Sequence, residues 1–413
     1  MDQRMETAST EKAAHNPPFL FNRLELAGSL GDLGTILPLA IGMILINGLH
    51  PLGLFLAVGL FYIGCGLYFR VTVPVEPMKV IGAYAVATGI GAAQIQAATL
   101  WTFLVLLLIG GTGLITVIGR AIPRPVIRGV QLSTGVLLVT QGVKLMLGTS
   151  PFQAMHGAGE PYLAIQAMGP VPLGLIIGAA LGAATLMLLD NKRLPAAIVI
   201  VGAGMAIGLL FGTREGLAQM RPGLYWPSLL PFGLPSVSDL TFALMVLVLP
   251  QMPMTVGNAV VANADLSLQY FPRDGRRVTY RALSLSMALG NLLSFCLGGM
   301  PMCHGAGGLA SRYRFGARSG GSNLIIGVLF ILLALLLGPH LMGIIHLLPM
   351  AALGVLLVFA GAQLSLTLLD MNTRKELFVP ILVVGITLAS NLAAGFIAGT
   401  LAAYALRSDK LSV

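Results

Sequence analysis

Two stretches, VTVPVEPMK (71–79) and GGMPMCHGAGG (298–308), decide how this chain folds. The first is β-branched and the second glycine-rich, and each passes through a proline into a short apolar run. Each therefore predicts an extended segment followed by a half-helix, starting near Pro77 in one and Pro301 in the other. The surrounding sequence is that of a membrane protein. Of 413 residues 56% are hydrophobic and 9% charged, where a soluble domain carries about 25% charged residues. At roughly 20 apolar residues per crossing, the composition fills about a dozen spans and leaves little chain for a separate soluble enzyme domain.

Outward from the two breaks, apolar segments fall at about 24–46, 51–69, 76–89, 99–118, 126–146, 171–189, 194–211, 238–263, 279–297, 301–313, 320–337, 347–368, 376–390 and 392–406. The segments holding the breaks are too short to span alone. Lys and Arg outnumber Asp and Glu by 24 to 15, a net +9, and they collect on alternate loops as the positive-inside rule requires. One side holds Arg4, Lys12 and Arg23; Arg70; Arg120, Arg124 and Arg128; Lys192 and Arg193; Arg273, Arg276, Arg277 and Arg281; Arg312, Arg314 and Arg318; Arg374 and Lys375; and Arg407 and Lys410. The opposite loops carry only Arg214 and Arg221. This predicts a multi-pass protein of the plasma (inner) membrane with both termini cytoplasmic. Residues 1–20 read as a disordered tail, with no signal peptide, and 408–413 as a second tail. Clustered in short loops, the positive charge marks orientation and not a nucleic-acid face.

The pentapeptide GVLLV occurs at 135–139 and again at 354–358, and the match continues from Gly142 to Gly361 and from Leu145 to Leu364. Pro77-Met78 and Pro301-Met302 form a second pair at nearly the same offset. Two matches near half the chain length predict a duplicated unit of seven segments: 21–212 and 238–407, joined by an external loop at 213–237. An odd number of crossings inverts the second copy. The expected fold class is thus an all-α polytopic membrane protein of about fourteen segments, two inverted repeats whose half-helices meet at the midplane.

Opposed helix N-termini make an anion site, each contributing about 0.3–1 kcal/mol. The amides of Met78, Lys79, Met302, Cys303, His304 and Gly305 are the candidates, and Lys79 adds a full charge. Against a dianion about 5 Å away that charge is worth roughly 7 kcal/mol at an effective dielectric near 20; the competing reading has Lys79 snorkelling to an interface. Asp32 and Thr35 lie one turn apart in GDLGT (31–35). Gln251, Thr255 and Asn258 fall at i, i+4 and i+7 in LPQMPMTVGN (249–258), a polar stripe that faces either a cavity or a partner helix. Asp32 and Glu76 are the proton-carrying candidates, against structural roles for Asp32 at a helix break and for Glu76 as the partner of Lys79.

Other motifs lead nowhere. GAGGLA (305–310) imitates a dinucleotide loop without a strand–helix–strand setting, and Cys65, Cys296 and Cys303 lack disulfide or zinc spacing. No nucleophile–base or metal constellation points to an enzyme, and no cofactor or protein-bound metal is expected.

From about residue 22 to 406 the chain resembles the molybdate transporter family, the MOT1-type proteins related to the sulfate permease superfamily. MPMCHGAGGLASRYRFGARSG (300–320) carries the likeness most specifically, with GDLGT (31–35), PVEPMK (74–79) and LPQMPMTVGN (249–258). The resemblance implies molybdate uptake through core and gate domains, with the anion held between the third and tenth segments. The residues by themselves reach only an oxyanion carrier in a lipid bilayer; sulfate, tungstate or a nucleobase as ligand, and an anion channel as mechanism, stay open at this point. Oligomeric state is not legible, a homodimer being the expectation.

Overall fold

A computed structural model describes residues 17–114, 123–189, 191, 195–213, 217 and 220–407. The expected tails at 1–20 and 408–413 lie almost wholly outside the described residues, as do Arg4, Lys12, Arg120, Lys192, Arg193 and Arg214.

The first repeat runs through α1 (Arg23–Ser29), α2 (Leu33–Leu45), α3 (Pro51–Phe69), strand β1 (Glu76–Pro77), α4 (Lys79–Thr88), α5 (Ala92–Thr112), α6 (Arg124–Leu147), a short hairpin β2 (Ala167–Met168) and β3 (Val171–Pro172), α7 (Leu173–Leu188) and α8 (Ala196–Phe211). The second comprises α9 (Val237–Tyr270), α10 (Tyr280–Leu297), β4 (Met302–Cys303), α11 (Ala306–Arg314), α12 (Gly321–Leu337), α13 (Met350–Ser365), α14 (Arg374–Ala389) and α15 (Leu392–Ala405). Among the described residues six helices are long and apolar enough to cross a membrane, seven when α1 and α2, bent by 41°, count as one.

Both sequence repeats meet their own copies. β1 pairs antiparallel with β4, Glu76 opposite Cys303 and Pro77 opposite Met302, and the Met78 amide donates to the Pro301 carbonyl at 2.8 Å. The GVLLV helices α6 and α13 likewise pack on each other. A Cβ on Gly354 would come within 2.6 Å of the Gly142 carbonyl oxygen, and one on Gly135 within 2.6 Å of that of Gly361. Glycine is required there because the backbones touch. Elsewhere α3 packs on α12 and α5 on α10, contacts that exchange when each repeat is mapped onto the other. The repeats are therefore inverted about one axis through both pairings.

α4 and α11, of 10 and 9 residues, reach only about 15 Å, half of the hydrocarbon core. Their approaches are extended because proline disfavours helix in the residue before it. Side-chain amides then satisfy that backbone: Asn323 pairs both polar groups of Val73, Nδ2 to the carbonyl at 2.6 Å and Oδ1 from the amide at 3.2 Å. Asn291 does the same for Met302 at 2.8 and 3.0 Å. α9 departs from the expected regular helix. Pro250 and Pro253 remove two amide donors, and the ladder opens into π-helical turns over Ala243–Val248 and Thr255–Ala262. α1–α5 and α9–α12 form the core domain; α6–α8 and α13–α15 form the gate.

Candidate functional site

A cavity of about 940 Å³ opens between core and gate. Thr35, Lys79, Asn258, Gly307 and Gly308 line its core wall, Gln131, Leu138, Leu356 and Phe359 its gate wall, and Arg124, Arg128 and Arg314 also border it. Lys79 is the first residue of α4, and its ammonium lies 3.2 Å from Glu76 Oε2, with 21% of the lysine side chain exposed against 1% for Glu76. Glu76 is seated on the start of α11. A Cβ at Gly305 would overlap Glu76 Oε2, and one at Gly308 would approach Oε1 to 2.7 Å. By position, the amides of Ala306 and Gly307 in this first turn lack an intrahelical acceptor. A resident carboxylate, held by Lys79 and by the Thr35 side chain, thus occupies the place where two half-helices present positive ends.

Only part of the expected constellation gathers here. Thr35, Lys79 and Asn258 face the cavity, and Asn258 Nδ2 would stand 3.5 Å from a Cβ at Gly305. Gln251 does not join them: its Oε1 accepts from the amides of Val80 and Ile81 at 2.9 and 3.3 Å, capping α4, and its Nε2 donates to Thr255 at 2.9 Å. The i, i+4, i+7 stripe splits because the π-helical turn rotates Asn258 away from Gln251 and Thr255. Met78 and Cys303 are buried, and the amides of Met78 and Met302 are consumed by the β1–β4 pairing and by Asn291. His304 is a strut: fully buried, it donates through Nδ1 to the Pro74 carbonyl at 2.7 Å, faces Ser286 Oγ through Nε2 at 2.8 Å, and packs on Phe61.

Asp32 also stands behind the wall. It accepts from Tyr62 at 2.6 Å and pairs with Arg312 at 3.2 Å, both charged groups being fully buried. Arg312 further donates to Thr72 at 2.8 Å, Ser322 at 3.1 Å and Asn323 at 3.0 Å. Read from sequence as a loop cation, Arg312 is instead the centre of a polar network joining α2, the approach to α4, α11 and α12. The only signal in the sequence is its helical phase, three and four residues after the buried Leu309 and Gly308.

At the cavity's edge Arg124 and Arg128 both pair with Asp370, which holds that carboxyl below its usual range, the Arg128 hydrogen bond foremost. In the loop before α7, Glu160 caps α13, accepting from the amides of Met350 and Ala351 at 2.7 and 2.8 Å. Burial pushes its carboxyl up to about 7 against those two hydrogen bonds. Among the described residues no His, Cys, Asp and Glu group is arranged to hold a metal ion.

Fold and site together define a helical inverted-repeat membrane protein whose half-helices converge on a lysine–glutamate pair at a cavity wall. The chain belongs to the molybdate transporter family: the family model described as "Molybdate transporter of MFS superfamily" matches residues 24–138 and 243–364. It is 30% identical to Molybdate transporter 1 of Arabidopsis thaliana, covering 96% of this chain and 90% of that protein. To Molybdate transporter 2 of the same plant it is 31% identical, covering 90% and 84%. Among solved structures, the transmembrane domain of the cyanobacterial bicarbonate transporter BicA shares the fold at TM-score 0.65 and 16% identity, over 93% of this chain and 98% of that one. Murine solute carrier 26 family member A9, an anion transporter in the inward-facing state, does so at TM-score 0.65 and 14% identity, over 98% and 74%. Inverted repeats differ from the parallel halves of the superfamily that the family description mentions.

Proposed function

We propose that this protein is a secondary carrier that takes up molybdate, with tungstate as a second substrate, across the plasma membrane in symport with protons. The observation carrying the proposal is the Lys79–Glu76 pair at the converging half-helices. Support for molybdate comes from two relatives named as molybdate transporters that align with nearly the whole chain. In this reading Lys79, Thr35, Asn258 and the first-turn amides of α11 receive the oxyanion. Glu76 carries a proton, and Asp32 is given over to Arg312. Both termini face the cytoplasm, and a homodimer belongs to the same reading.

Coupling follows from magnitude. Carrying a dianion inward against about 100 mV, negative inside, costs about 2 × 2.3, or roughly 4.6 kcal/mol, more than a thousandfold in concentration. An importer must therefore move compensating cations, and two protons cancel the charge. A protonated Glu76 leaves Lys79 free to attract the anion; its deprotonation on the alkaline side returns a competing negative charge that expels the anion. Labelled molybdate uptake into proteoliposomes, with and without an inside-alkaline gradient, tests this. Gradient-driven accumulation that tungstate suppresses and sulfate does not is the expected result. Equal suppression by sulfate moves the assignment to a general oxyanion carrier, and flux that ignores the gradient removes the coupling.

A further inference from the structure

The core domain carries a second cavity, a groove of about 410 Å³ between α3 and α10, lined by residues of those two helices alone. Its walls are aliphatic and aromatic, and Leu60, Tyr68 and Leu289 on its rim are 38%, 56% and 62% exposed. α3, which carries Leu60 and Tyr68, is long and apolar enough to cross a membrane, and exposed apolar residues on such a helix face lipid. The volume lies within the about 300–1,000 Å³ of ligand clefts. Depth comes from Gly64, where an added Cβ would have nothing within 4 Å. One end of the groove is basic. Arg277 Nη1 donates to the Tyr68 carbonyl at 3.3 Å, and Arg70, at the end of α3, and Arg281, in the first turn of α10, are exposed.

An apolar slot within the membrane, ending in guanidinium groups, is complementary to an acyl chain bearing an anionic headgroup. We propose that this groove binds one acidic glycerophospholipid, its chain beside Gly64 and its phosphate at Arg277. The occupant would bear on the transport machinery through His304. Ser286, Phe61 and Cys65, all on the groove wall, lie against its ring, Ser286 Oγ at 2.8 Å from Nε2, and His304 holds the Pro74 carbonyl of the approach to α4 at 2.7 Å. The lipid site is independent of which anion the carrier takes.

The test uses the full chain reconstituted in phosphatidylcholine vesicles with a minor share of phosphatidylglycerol, re-extracted in mild detergent, with retained lipid counted by native mass spectrometry. The parent protein retains phosphatidylglycerol well above its share of the vesicle. Gly64→Leu, which fills the slot, loses the retained lipid while unfolding at the parent's temperature. Arg277→Ala lowers the preference for phosphatidylglycerol about fivefold, the weight of one arginine near an acidic headgroup. Retention of the two lipids in proportion to supply overturns the proposal, as does full retention by a folded Gly64→Leu. If Gly64→Leu fails to fold, the parent ratio and Arg277→Ala decide, and an unchanged ratio in Arg277→Ala overturns it.

Discussion

Replacing Glu76 by Gln tests the core of the transport hypothesis, because the substitution removes one charge and little volume. Lys79 and Glu76 stand 3.2 Å apart, an attraction of about 5 kcal/mol at an effective dielectric of 20. A dianion about 5 Å from both gains roughly 7 kcal/mol from the lysine and loses about as much to an ionised glutamate. With Glu76 charged, the site is electrostatically indifferent to the substrate; with Glu76 neutral it attracts. If half of that difference survives solvent and rearrangement, about 3 kcal/mol remains, more than a hundredfold in affinity. Calorimetric titration with molybdate should show parent affinity climbing as pH falls. Glu76→Gln should bind at alkaline pH as tightly as the parent does at acid pH, with a flat profile. In proteoliposomes the same variant keeps exchange of labelled for unlabelled molybdate and loses accumulation driven by an inside-alkaline gradient. A Glu76→Gln protein with the parent's affinity and pH dependence would refute the reasoning and return Glu76 to a structural role.

Lys79→Ala should weaken molybdate binding and Lys79→Glu weaken it further, since attraction becomes repulsion of comparable size; equal binding by the reversed variant, measured by the same titration, places the anion elsewhere. Arg312→Met leaves Asp32 buried without its partner and should cost about 3–5 kcal/mol. Asp32→Leu added to it should recover much of that loss in thermal unfolding, and additive losses would show that the pair is not the source. Glu160 predicts a pH effect of defined sign: the folded carboxyl keeps its proton up to about 7, whereas the unfolded one releases it near 4.5, so stability falls as pH rises across that window, by about 3 kcal/mol in total. Unfolding temperatures measured at pH 4.5 and 7.5 should differ in the parent and converge in Glu160→Gln; an unchanged difference would assign the effect to other groups.

What the sequence made legible and what it hid divide along a physical line. Pro77, Pro301 and the two GVLLV runs were informative because they act through the backbone. The prolines mark where the helix is broken but not its first residue: the half-helices begin at Lys79 and Ala306, two and five residues after Pro77 and Pro301, because the intervening residues pair as β1 and β4. A repeated glycine spacing marks where two backbones touch. That suffices for the inverted repeats, for the half-helices and for Lys79 at the head of one. Side-chain direction was not legible in the same way. His304, Gln251 and Asp32 all lie within or beside the right motifs, yet each turns from the cavity to satisfy a buried group: the Pro74 carbonyl, the first amides of α4, the Arg312 guanidinium. These partners are 230, 171 and 280 residues distant in the chain, and no local pattern announces them. In a bilayer every unpaired polar group costs several kcal/mol, so the broken helices that create an anion site also demand polar side chains to repair the backbone around it. Most polar residues near such a site are therefore occupied in building it. Glu76 is the instructive exception. Its Oε2 lies 3.2 Å from the Lys79 ammonium, its ion-pair partner among the described residues, and the Thr35 side chain hydrogen-bonds to the same carboxylate. A buried carboxylate paired with one partly exposed lysine, on a helix end able to hold an anion, is therefore the residue on which the proposed coupling is placed.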